Sequence, residues 1–99
     1  MSHANQIRRC WRLYAAGEYQ PLLEESSLCD WSEALAGELE ELLYVRALAL
    51  WRLEKPRAAR NALRRLLKIN PFSASAHLQL ANVCDDLEQF EEARRHYQR

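Results

Sequence analysis

The residues able to carry chemistry are scattered along this chain. His3, His77 and His96 stand far apart, and neither an HExxH motif nor a Cys/His cluster occurs, so no metal-ligand spacing is present. Cys10, Cys29 and Cys84 are odd in number and widely separated. That spacing argues against a disulfide framework or a zinc site and for a reducing compartment. Cys10 and Cys84 fall on apolar helical faces, where a thiol behaves as a small hydrophobe. Gly17 and Gly37 are the only glycines, which rules out a glycine-rich phosphate loop, and no nucleophile motif brackets any serine. No cofactor is expected, and catalysis is a poor reading. Arg57, Arg60, Arg64 and Lys68 share a helical face, with Arg65 beside them. Such a stripe could track phosphates, but no aromatics interleave with it, and a charge run on a helix more commonly marks a solvated, ion-paired face.

Elements that would position these residues are helical throughout. Ile7, Cys10, Trp11 and Tyr14 recur at helical spacing and predict a helix over about 5–16, ended by Gly17. Tyr19-Gln20-Pro21 opens a second helix carrying Leu22, Leu23 and Leu28, with proline tolerated in a first turn. Between Ser26 and Gly37 the pattern weakens. Asp30 and Glu33 have capping-box spacing, and one short turn is predicted near 31–36, interrupted at Gly37. A third helix runs over 38–53, and Pro56 opens a fourth whose stripe is Ala59, Ala62, Leu63, Leu66, Leu67 and Ile69. Asn70-Pro71 stops it, since the residue before proline is pushed out of the helical region. A fifth helix over 75–87 and a sixth over 90–99 complete an all-α chain of six helices in one domain spanning 1–99.

Composition supports order: 48% of residues are hydrophobic and 28% charged, with 2 Gly and 3 Pro, unlike apolar-poor disordered chains. The net charge is zero but blocked, with +3 over 1–17, −8 over 18–45, +7 over 46–70, −5 over 71–93 and +3 over 94–99. Alternating blocks in consecutive helices help set register, at about 0–1 kcal/mol per exposed pair. The N-terminus lacks a secretory h-region, and the longest apolar run, Leu42 to Trp51, is broken by Arg46 and too short to span a bilayer. A cytoplasmic protein without a membrane partner is expected.

Residues 40–65 and 74–99 are two copies of one pattern offset by 34 residues. Ala47 returns as Ala81, Leu53-Glu54 as Leu87-Glu88, Ala59-Arg60 as Ala93-Arg94, and Arg65 as Arg99. That period is the length of a helix–turn–helix unit that stacks on its own copies. The pattern resembles the tetratricopeptide repeat family, in which a small residue midway along one helix meets an alanine early in the next. Ala47 with Ala59 and Ala81 with Ala93 match that pair. Phe90 matches the turn aromatic, Leu63 and Tyr97 the large residue after the alanine, and Pro71 the closing proline. The match is specific over 40–99 and weak over 3–36, where Leu22 stands in the alanine position. Arg46 occupies a slot that the family keeps apolar, and Pro56 replaces a turn aromatic.

The resemblance implies an α-α superhelix of about three antiparallel hairpins, over about 5–28, 38–69 and 74–99, that binds a peptide or protein segment in a concave groove. It implies no catalysis. Groove residues would be Arg8, Arg9 and Arg12 from the first helix, Tyr44, Leu48 and Trp51 from the third, and Leu78, Asn82, Asp85 and Asp86 from the fifth. Tyr44 and Trp51 have the plainer alternative of packing into neighbouring helices. The clamp that some members use for a C-terminal carboxylate is missing, because Leu48 and Leu78 occupy its polar slots. An adaptor or chaperone is the leading reading, and a bacterial type III secretion chaperone is its sharper form. The alternatives are a self-assembling segment, joined through an uncapped C-terminal end or continued by more chain, and, last, an RNA-binding helical repeat.

Overall fold

The computed structural model describes residues 3–28 and 30–97, apart from the side chains of Ala93, His96 and Tyr97. The readings made above for Cys29, Arg99 and those three side chains lie outside the described residues. Five helices follow one another: α1 (Ala4–Ala15), α2 (Tyr19–Leu28), α3 (Ala36–Arg52), α4 (Pro56–Ile69) and α5 (Ala74–Tyr97). There is no strand among the described residues.

Two hairpins, α1–α2 and α3–α4, are closed by the same backbone device. Gly17 sits at φ 76° with its N–H on the Tyr14 carbonyl, and the Glu18 N–H reaches the Leu13 carbonyl at 2.9 Å. Glu54 sits at φ 59°, its N–H on the Trp51 carbonyl, with the Lys55 N–H on the Leu50 carbonyl at 2.9 Å. Both are Schellman closures, which satisfy helix-end carbonyls through one left-handed residue. Pro56 then starts α4 at its first position, and the extended backbone of Asn70 before Pro71 ends it. Ser73 Oγ accepts the Ala76 N–H at 3.3 Å and caps the start of α5.

Beyond that point the expected third hairpin does not form. α5 is one helix of 24 residues, so there are five helices where the repeat predicts six. A continuous helix keeps positions 81 and 93 about 18 Å apart at 1.5 Å per residue, so the second small-residue contact is not made within the chain. The reason is local. Leu87-Glu88-Gln89-Phe90 has neither the glycine that closes α1 nor the proline that opens α4, and contains no residue that stops a helix. The short turn expected near 31–36 lies at Ser32-Glu33, where Asp30 accepts the Ser32 N–H at 3.0 Å, and Glu38 Oε1 accepts the Leu35 N–H at 3.0 Å at the start of α3. Other expectations are corrected. Gly37 lies inside the first turn of α3 and interrupts nothing. Leu28 and Cys84 are exposed.

α3 is the central element because it is buried on two sides. Leu43 and Ala47 face a core shared with Ala59, Leu63 and Leu66 of α4 and with Ala76 and Val83 of α5. Val45 and Ala49 face a second core with Cys10 of α1 and Leu22 and Leu23 of α2. Ala47 and Ala59 are both buried, and this is where small side chains let α3 and α4 approach. In the first hairpin the Schellman residue comes 37 positions earlier, which aligns Cys10 with Ala47 and Leu22 with Ala59. A fully buried Leu22 is accommodated there by the small Cys10 and Ala49 against it. Burying each such leucine contributes about 1.5–3 kcal/mol. The radius of gyration is 14.5 Å, above the ~13 Å of a compact chain of this length, as a row of stacked helices gives.

Candidate functional site

Positions 44, 48 and 51 fall on one face of α3 by helical spacing. Tyr44 and Trp51 are partly buried and pack against the α3–α4–α5 core, so the packing role foreseen for them holds for part of each ring. Tyr44 also meets α1, its ring centroid 6.3 Å from that of Trp11, whose indole N–H donates to Glu41 Oε1 at 3.2 Å. At the other end of this face the Trp51 indole N–H donates to the Asp86 carboxylate of α5. Trp51, Glu54, Pro56, Asp86 and Phe90 line a cavity of about 270 Å³. Phe90 is 54% exposed. This hollow is an apolar slot with the Glu54 and Asp86 carboxylates in its lining, suited to an apolar side chain beside a cation.

Other expected residues distribute along α5 and α1. Leu78, Asn82 and Asp85 are exposed and follow one another at helical spacing on α5. Leu48 is half-buried between Tyr44 and Trp51 on α3. Tyr44 opens onto a second hollow of about 340 Å³, with Glu40, Glu41, Leu66, Ser73 and Ser75. Arg8 and Arg12 are not brought to this face. With Arg9 and Leu13 they line a separate hollow of about 550 Å³, and Arg9 pairs with Glu25 of α2 at 2.6 Å. α1 turns Cys10 and Trp11 toward α3, which leaves its arginines on another side. α1 and α3 are joined near the Trp51 end by Arg52, whose Nε lies 3.4 Å from the Tyr14 hydroxyl; that contact holds the guanidinium above its ordinary value.

Among the groups that sequence reasoning missed are Glu54, Pro56 and Trp11. In the sequence Pro56 marks a helix start and Glu54 belongs to the repeat, and nothing local signals that the two also form the wall of a slot. Phe90 was read as a turn aromatic; it is aromatic surface on a helix. The α4 cations behave as a solvated face at Arg57, which pairs with Glu91 at 2.6 Å. Among the described residues no group of three or more His, Cys, Asp or Glu side chains could hold a metal, and no helix is long and apolar enough to cross a membrane. Compared with known proteins, residues 44–99 match the family model for the tetratricopeptide repeat. No curated protein and no solved structure matches the chain.

Proposed function

Because the chain belongs to the tetratricopeptide repeat family, whose members generally mediate protein–protein interaction, we propose that it captures a segment of another protein on the face formed by α3 and α5. The observation that carries this reading is the half-exposed Trp51 slot, walled by Pro56 and Phe90 and flanked by Glu54 and Asp86. Aromatic anchors in partly desolvated pockets supply most of the energy of such contacts. The exposed α5 row of Leu78, Asn82 and Asp85 extends the face for a helical or extended partner. A segment with an apolar residue beside lysine or arginine fits that chemistry. The basic end foreseen at Arg8 and Arg12 contributes only to a partner long enough to pass around α1.

Adaptor and chaperone roles both use this capture. A chaperone, including one for a secreted subunit, calls for an aggregation-prone apolar segment, and an adaptor for a folded partner's tail. The cytoplasm, where thiols stay reduced, is the compartment we assign. The test is partner recovery by the wild-type chain and by Leu48→Glu and Trp51→Ala. Both variants should lose the partner while circular dichroism stays helical; recovery of the same partner by both would end the reading.

One observation favours a second reading, self-assembly. α5 runs straight past the point where the repeat folds back, leaving Ala81 and Cys84 exposed. A second copy could supply the missing packing. Light scattering over a concentration series tests this, and a strict monomer throughout counts against it.

A further inference from the structure

A larger hollow shares no residue with the Trp51 slot. It holds about 620 Å³ and lies between α2, the loop before α3, α3 and α4. Trp31, Leu39, Leu42 and Leu43 form its apolar wall, and Arg46, Arg65 and Lys68 stand in its lining. No carboxylate lines it among the described residues.

Arg46 is the least expected of the three cations, since it occupies a position in the repeat that is otherwise apolar. Its guanidinium is half-buried, and its Nη1 donates to the Leu23 carbonyl at 3.2 Å and to Ser26 Oγ. Burial pushes it below its ordinary value, the Cys10 thiol opposes that, and the like charge of Arg65 adds to it. None of the three cations has a carboxylate partner among the described residues. A partly desolvated cation without a counter-charge is costly, and an aliphatic residue would fill the same space without that cost. Trp31 is held at the rim, its indole N–H donating to the Ser26 carbonyl at 2.8 Å and its ring stacked 4.7 Å from that of His3.

We propose that this hollow binds an organic phosphate monoester carrying an apolar or aromatic body. A phosphate monoester brings a charge of about −1.5 to −2 at neutral pH and three acceptor oxygens. Arginine forks match those oxygens. A carboxylate would leave most of the positive charge uncompensated. The body of the ligand lies on Trp31 and the leucines, and the volume falls inside the roughly 300–1,000 Å³ of ordinary small-ligand sites. The phosphate could arrive on a free small molecule or on a phosphorylated tyrosine of a peptide.

The test is isotope-edited NMR of the full chain titrated with phenyl phosphate, phenylacetate, inorganic phosphate and a short phosphotyrosyl peptide. Phenyl phosphate should move the Trp31 indole and the Arg46 Nε–H resonances saturably and leave the Trp11 and Trp51 indoles in place. Arg65→Ala and Lys68→Ala, exposed rim substitutions that leave the core intact, should each weaken binding about tenfold, as loss of one charge-assisted hydrogen bond gives. Arg46→Met should abolish binding, and the rim variants decide the matter should it fail to fold. Tighter binding of the peptide than of phenyl phosphate assigns the phosphate to a partner's side chain, and weaker binding assigns it to a free molecule. No saturable shift up to about 10 mM, weaker than any useful affinity, would overturn the proposal. Equal affinity for phenylacetate or for inorganic phosphate alone, or unchanged binding in both rim variants, would do the same.

Discussion

Glu54→Gly should make this protein more stable, although it removes a side chain and adds a flexible residue. Glu54 adopts φ 59° in the Schellman closure of α3, where the equivalent position in the first hairpin is Gly17 at φ 76°. Holding an L-residue in the left-handed region costs about 1–2 kcal/mol. Glycine removes that strain but gives back roughly 0.5–1 kcal/mol through the freedom it gains when unfolded. The Glu54 side chain is exposed, with no hydrogen bond or ion pair among the described residues, so its loss takes little else away. A net gain of roughly 0.5–1 kcal/mol follows, and in a domain of this size that raises Tm by about 2–8 °C. Gly17→Ala is the mirror experiment. An added Cβ there meets nothing within 4 Å, so the penalty is in the backbone alone, and Tm should fall by a similar amount. Thermal unfolding followed by circular dichroism, repeated with urea, measures both. A Glu54→Gly variant no more stable than the parent would refute the strain argument.

Two further outcomes test the packing. Leu63 is 0% exposed between α3 and α4, so Leu63→Ala should cost about 2–5 kcal/mol, seen as a lower urea midpoint with an unchanged slope; a loss below about 1 kcal/mol would contradict its central place. In a Cys29→Ser background, exposed Cys84 should react rapidly with a thiol reagent while buried Cys10 reacts only on unfolding, and equal rates would place Cys10 outside the core.

How far the sequence foretold this molecule depended on whether the cause was local. Gly17 permits the left-handed closure that most residues resist, and Pro56 and Asn70-Pro71 restrict their own backbone, so the end of α1 and both ends of α4 were legible. The 34-residue repeat predicts a break after Leu87, but neither a glycine like Gly17 nor a proline like Pro56 stands there, and α5 continues. Repeat arithmetic counted the copies, and local chemistry decided whether each one turned. Leu28 and Cys84 show a different limit, because helical spacing places residues on a face without saying whether a neighbour covers it. The Trp51 slot was half legible. Trp51 and Asp86 were foreseen on one groove and do meet, whereas Arg8 and Arg12 are carried elsewhere by the rotation that buries Cys10. Arg46 stood out in the sequence as a charge in an apolar slot; the cavity that explains it needs α2 and α4 placed around it.

Capture of a segment on the α3–α5 face is tested most directly by cysteine footprinting with the recovered partner bound. Leu78→Cys and Asn82→Cys, both exposed on α5, should become protected from alkylation, while Arg64→Cys on exposed α4 surface should react as fast as in the free protein. Protection at Arg64→Cys with undiminished labelling at positions 78 and 82 would contradict the account.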